Sequence, residues 1–106
     1  MDRSADEDCP PVTVPEGAQV REIRVVNRRG LHARASAKFV QTVERFDADV
    51  TVSRCGETVG GRSIMGLLTL AAAQGTTITV TAKGLDAAHC LQAIDDLVTN
   101  RFGEDE

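Results

Sequence analysis

From Val20 to Val26 apolar and polar residues alternate, with Ile23 and Val25 on one side and Glu22 and Arg24 on the other, which predicts a half-buried strand. After Asn27-Arg28-Arg29-Gly30-Leu31 the period lengthens. Ala33, Ala37, Val40 and Val43 recur at steps of four, three and three, one face of a helix that ends near Phe46-Asp47. Val50 and Val52 then alternate with Thr51 and Ser53, and Arg54-Cys55-Gly56-Glu57 supplies turn chemistry before Thr58-Val59, so a hairpin is expected. Ser63, an N-cap residue type, opens a second helix that runs through Ile64 to Ala71 and stops near Gly75. Thr76 to Ala82 places Ile78, Val80 and Ala82 on one face of a strand and Thr77, Thr79 and Thr81 on the other. Beyond the Lys83-Gly84 turn, Asp86 caps a last helix whose Ala87, Leu91, Ile94 and Val98 keep helical spacing to about Arg101.

The order β-α-β-β-α-β-α, with one apolar face per strand and one stripe per long helix, predicts an α+β fold. Its expected form is a two-layer open-faced β-sandwich, a four-stranded antiparallel sheet with three helices on one face. At 106 residues the chain holds one small domain, assigned to residues 19–103. Residues 1–18 contain all three prolines and no apolar periodicity, and are expected to be a disordered acidic extension; residues 104–106 are an acidic tail. No apolar run has the length of a membrane span, and the acidic N-terminus is unlike a secretory signal, so a cytoplasmic protein is expected. Three cysteines, Cys9, Cys55 and Cys90, form no CxxC pair; reduced thiols are the expectation, and no spacing suggests a metal site.

A net charge of −4 with three Phe and no Tyr or Trp argues against nucleic acid, which calls for a basic face and stacking rings. The placement of charge says more than its sum. Residues 1–16 and 95–106 each carry five acids and one base, whereas residues 21–34 carry Arg21, Arg24, Arg28, Arg29 and Arg34 against Glu22 alone. A basic segment between acidic ends is either a solvated strand edge or a local anion site.

Within that segment, Gly30-Leu31-His32-Ala33-Arg34 lies where the first strand hands over to the first helix. A histidine at a helix N-terminus sits beside unpaired N–H groups and the positive end of the dipole. These favour neutral imidazole and hold a phosphate placed on it. Neutral imidazole is a nucleophile for phosphorus, and the P–N bond it forms is labile enough to pass the group onward. Arg34 can fold its guanidinium onto the phosphate oxygens, and Gly30 lets backbone approach closely. On spacing alone, a merely capping or exposed histidine is the competing reading.

The stretch GLHARASAKFV, followed by SIMGLLTLAA and GTTITVTAKG, resembles the HPr family of phosphocarriers of the phosphoenolpyruvate-dependent phosphotransferase system, over about Val20 to Phe102. The resemblance implies that the chain is a carrier and not an enzyme. It implies that His32 takes phosphate on Nδ1 from phosphorylated enzyme I and gives it to an enzyme IIA-type acceptor, with Arg34 contacting the phosphate. Ser63 matches the serine modified by HPr kinase/phosphorylase, where added charge at a partner-facing surface hinders docking. Ile64, Met65 and Leu68 match the family's docking surface, while Leu67 and Leu70 belong to the core. A monomer without cofactor is expected.

Two departures stand out. Ala35 occupies the position where most members have proline, so the first turn loses a preset φ and gains an N–H. The N-terminal extension is the other; similar variants are associated with regulatory branches of the system, including the nitrogen-related one. The alternative function is a regulatory docking module of the same fold that never carries phosphate. Elsewhere, His89 falls opposite the last helix's stripe and is expected in solvent, Cys90 near the stripe in the core, Ser36 at a helix surface or in packing, and Lys38 in solvent.

Overall fold

A computed structural model describes residues 14–104. Eight elements follow in order: β1 Gln19–Arg24, α1 Ala33–Val43, β2 Asp49–Arg54, β3 Glu57–Gly60, α2 Ile64–Thr69, β4 Thr77–Lys83, α3 Ala87–Thr99 and a short 3₁₀ turn, Arg101–Gly103. The strands form one antiparallel sheet in the order β1-β4-β2-β3. The β1–β4 register sets Ile23 opposite Ile78, and Val52 of β2 stands opposite Val80 on one side and Val59 on the other. That aligned apolar row faces the helices, and Ile23, Val52, Ile78 and Val80 are buried against Leu67, Leu91, Ile94 and Val98. The two-layer α+β architecture is the one the alternating pattern predicts.

The β2–β3 connection is a two-residue turn in which Cys55 and Gly56 both have positive φ, 50° and 84°, as a hairpin whose turn matches the strand twist requires. Pro15 to Ala18 forms a turn ahead of β1, with the Ala18 amide donating to the Pro15 carbonyl at 3.0 Å. Residues 1–13 of the expected extension, with Cys9, and residues 105–106 of the acidic tail lie outside the described residues.

Several local expectations are corrected. The inner face of α1 is Ala35, Ser36, Phe39, Val40 and Val43; Ala33 is exposed and Ala37 half-buried. The stripe is rotated because Phe39 and Val40 have far more apolar area to remove from water than alanine does, so they set the helix's orientation. α1 ends at Val43, ahead of Phe46, and α2 ends at Thr69, well before Gly75, because Ala71 takes a left-handed φ of 51° that no helix continues through. Asp86 makes no side-chain cap to α3. Its carboxylate instead accepts the Asp47 amide at 2.8 Å, fastening the loop after α1 to the start of α3. The α3 stripe of Ala87, Leu91, Ile94 and Val98 is buried as expected, with Cys90 beside it and His89 exposed. Cys90 is a free thiol pushed above its ordinary value by burial, to which Asp86 adds while Arg62 and Arg45 oppose. Cys55 is disulfide-bonded, which departs from the expectation of reduced thiols.

Candidate functional site

β1 delivers the chain to the N-terminus of α1 through a turn that Asn27 and Gly30 build together. Asn27 is fully buried and its Nδ2 donates to the Gly30 carbonyl at 2.8 Å. Gly30 has φ +67° and lies against the chain after α2, where a Cβ would stand 2.3 Å from the Ala72 carbonyl oxygen. The close approach expected of this glycine is therefore to protein backbone. The Leu31 amide donates to that same Ala72 oxygen at 2.9 Å and buries the Leu31 side chain, so the residue before His32 is pinned.

His32 is the N-cap of α1. Its backbone is extended, with φ −77° and ψ −178°, its carbonyl accepts the Ser36 amide at 2.8 Å, and its side chain caps nothing. The first-turn amides of Ala33, Arg34 and Ala35 thus begin a helix with no side-chain acceptor from the cap position. Ala35 is fully buried, so core packing holds the turn that proline presets elsewhere. Ser36 is also buried, its Oγ donating to the Leu31 carbonyl at 3.3 Å.

The imidazole opens into a pocket of about 370 Å³ lined by Arg28, Arg29, His32, Arg34, Lys38, Gly103 and Glu104. Four of these lining side chains are cationic. Arg34 is exposed there and makes no hydrogen bond or ion pair among the described residues. The other two arginines of the basic segment are elsewhere. Arg21 reaches Asp95 at 3.1 Å and Gln92 at 3.3 Å on α3, and Arg24 points to the sheet's outer side because strand alternation sends it opposite Ile23. Lys38, expected in solvent, donates from Nζ to the Phe102 carbonyl at 2.6 Å.

Two residues of this site carry no local sequence signal. The Glu104 carboxylate hydrogen-bonds His32 Nε2, and its other oxygen accepts Asn27 Nδ2 at 3.1 Å. Both Asn27 amide hydrogens are therefore committed, one to Gly30 and one to Glu104. The His32 and Glu104 side chains are 23% and 16% exposed, so the contact is shielded yet reachable. Partial burial pushes the Glu104 carboxyl up. The hydrogen bonds from His32 and Asn27, with the charges of His32 and Arg29, outweigh that and hold the group below its ordinary value.

At the other expected site, Ser63 is the exposed N-cap of α2, and its Oγ accepts the Gly66 amide at 2.9 Å. Arg62 beside it donates to the Ala48 carbonyl at 3.1 Å and the Phe46 carbonyl at 3.3 Å, holding the approach to the cap. Ile64 and Met65 are exposed, Met65 at 71%, while Leu68 is half-buried and Leu67 and Leu70 are core. α2 packs against α1, the helix that begins at His32. Among the described residues there is no cluster of side chains suited to a metal ion, and no helix is long and apolar enough to cross a membrane.

The chain is similar to known proteins over most of its length. The family described as "PTS HPr component phosphorylation site" matches residues 19–100. A phosphocarrier protein HPr of Neisseria meningitidis is 46% identical over 86 residues, which are 81% of this chain and 97% of that protein. The corresponding protein of Xylella fastidiosa is 49% identical over 84 residues, 79% of this chain and 94% of that one. Among solved structures, HPr-C-His of Thermoanaerobacter tengcongensis superposes with a TM-score of 0.79 at 35% identity, covering 83% of this chain and 99% of that one.

Proposed function

This chain belongs to the HPr family of phosphocarriers of the phosphotransferase system, and from that membership we propose that His32 is the residue on which it carries the phosphoryl group. A carrier is not an enzyme, so the site has only to accept, hold and release. The observation that carries the proposal is the pocket itself. A nucleophilic imidazole stands at a helix N-terminus among Arg28, Arg29, Arg34 and Lys38. A phosphoryl group arriving there meets four cations and the open amides of the first helical turn.

Phosphorylated enzyme I is the donor and an enzyme IIA-type protein the acceptor. In each step one N–P bond forms as another breaks in line, and Arg34 spreads the charge on the equatorial oxygens. Ile64, Met65 and Leu68 form the apolar part of the docking surface, a role supported by the exposure of Ile64 and Met65 on α2, with Leu68 half-buried on the same helix. Ser63 is the regulatory site for HPr kinase/phosphorylase: its hydroxyl is exposed, and a phosphate there adds about two negative charges beside that surface. The protein acts as a cytoplasmic monomer. Which IIA-type acceptor drains the phosphate distinguishes a sugar-transport role from the nitrogen-related branch.

The test is incubation of the full chain with enzyme I and phosphoenolpyruvate, followed by an IIA-type acceptor. An acid-labile phosphate appears on the wild type and moves to the acceptor, and His32→Ala takes none. Labelling that persists in His32→Ala overturns the assignment. For Ser63, ATP and the kinase give an acid-stable phosphate that is lost in Ser63→Ala.

A further inference from the structure

Glu104 lies 72 residues beyond His32 and past the last long helix, and the chain turns back sharply to bring it to the imidazole. After α3 ends at Thr99, Arg101, Phe102 and Gly103 take successive left-handed φ values of 58°, 55° and 76°. Two of the three are not glycine, so this turn is conformationally costly and needs something to hold it. Phe102 is buried in the core, its carbonyl accepts Lys38 Nζ at 2.6 Å, and the Glu104 amide closes on the Arg101 carbonyl at 2.9 Å. Glu104 is thus presented from an anchored turn. Asn27 then holds one carboxylate oxygen while the other meets His32 Nε2.

An ionised carboxylate accepts hydrogen bonds and cannot donate them. The imidazole nitrogen facing it must therefore carry the proton, which leaves the lone pair of the neutral ring on Nδ1. Carboxylate partners fix tautomer and ring orientation in this way for metal-bound and catalytic histidines. We propose that Glu104 is a positioning residue for phosphoryl transfer: it holds His32 as the Nε2–H tautomer and so makes Nδ1 the nucleophile. This rests on the reading of His32 as the phosphoryl carrier.

The step balances without a proton transfer. The Nδ1 lone pair forms the new N–P bond, the P–N bond of the donor's phosphohistidine breaks, and its electron pair returns to the donor ring. Nε2 keeps its proton throughout. The ring gains positive charge as Nδ1 commits its lone pair, and the Glu104 carboxylate offsets that charge from the opposite edge. Transfer to the acceptor reverses the sequence.

The experiment uses the full chain, uniformly ¹⁵N-labelled and unphosphorylated, with no partner present, at a pH where the His32 ring is neutral. Long-range ¹H–¹⁵N correlation distinguishes a protonated from an unprotonated ring nitrogen. The wild type gives well-separated signals, Nε2 protonated and Nδ1 bare. Glu104→Ala draws the two shifts together as the tautomers mix, whereas Glu104→Gln, which still offers a carbonyl oxygen, keeps them apart. In transfer from enzyme I, Glu104→Ala slows phosphorylation about tenfold, as loss of a hydrogen bond to a charged group implies, and Glu104→Gln recovers part of the rate. Unchanged ring signals in a folded Glu104→Ala, or a wild-type ring protonated on Nδ1, overturn the proposal. So does wild-type transfer by Glu104→Ala. A wild type that takes no phosphate would instead refute the carrier reading, and the tautomer result would stand apart from it.

Discussion

The Gly30 Cα and the Ala72 carbonyl are so close that a methyl group on Gly30 would stand 2.3 Å from that oxygen. The same carbonyl accepts the Leu31 amide, so the strand-to-helix turn that presents His32 is seated on the chain following α2. Gly30→Ala is expected to destabilise the fold by about 2 kcal/mol or more, combining a left-handed alanine with a backbone collision. Urea unfolding checks this; stability within about 0.5 kcal/mol of wild type would show that the turn has no such constraint.

The rotated face of α1 gives a second test. Phe39 is fully buried, so Phe39→Ala should cost about 3–5 kcal/mol, while Ala33→Ser on the exposed side should stay within about 0.5 kcal/mol. Equal costs at the two positions in denaturant titrations would restore the stripe through Ala33.

Ser63 holds the first turn of α2 through the Gly66 amide. Ser63→Ala is therefore expected to lose about 1 kcal/mol, and Ser63→Asp, which keeps an acceptor, to lose less than half of that. Thermal melts of the two variants check the order, and an alanine variant as stable as wild type would contradict the cap.

Acid pH acts on Glu104. Its carboxyl is held below the ordinary value, so its contacts with His32 and Asn27 stabilise the C-terminal turn fully above the ordinary carboxylate range. That contribution is lost as pH falls through the depressed Glu104 value. The side-chain carboxyl ¹³C signal of Glu104 should show its carboxyl titration step at a pH below where an exposed glutamate titrates. A midpoint at or above the ordinary glutamate value would contradict the geometry.

Sequence pattern made the sheet and α3 legible because Ile78, Val80, Leu91, Ile94 and Val98 are large, branched and strictly spaced. It misplaces the α1 stripe because a periodicity through Ala33 and Ala37 weighs alanine equally with Val40, although alanine has little area to bury and Phe39 a great deal. It carried α2 too far because the apolar run Leu70-Ala71-Ala72 continues past the left-handed Ala71 that stops the helix. His32, Arg34 and Gly30 were visible because their relationship is local. Arg21 and Arg24 share that segment by linear proximity alone, and strand alternation with a partner on α3 takes both away. Glu104 reads as one more acid in an acidic tail. Its role depends on three left-handed residues and a buried Phe102, which no short-range periodicity encodes.

The proposed carrier holds its phosphoryl group on His32, bonded through Nδ1. The most direct measurement is ³¹P–¹⁵N coupling in the ¹⁵N-labelled full chain after phosphorylation by enzyme I and phosphoenolpyruvate. A one-bond coupling from phosphorus to the Nδ1 of His32 is expected. A phosphorus signal coupled to Nε2, or one that persists unchanged in His32→Ala, would contradict it.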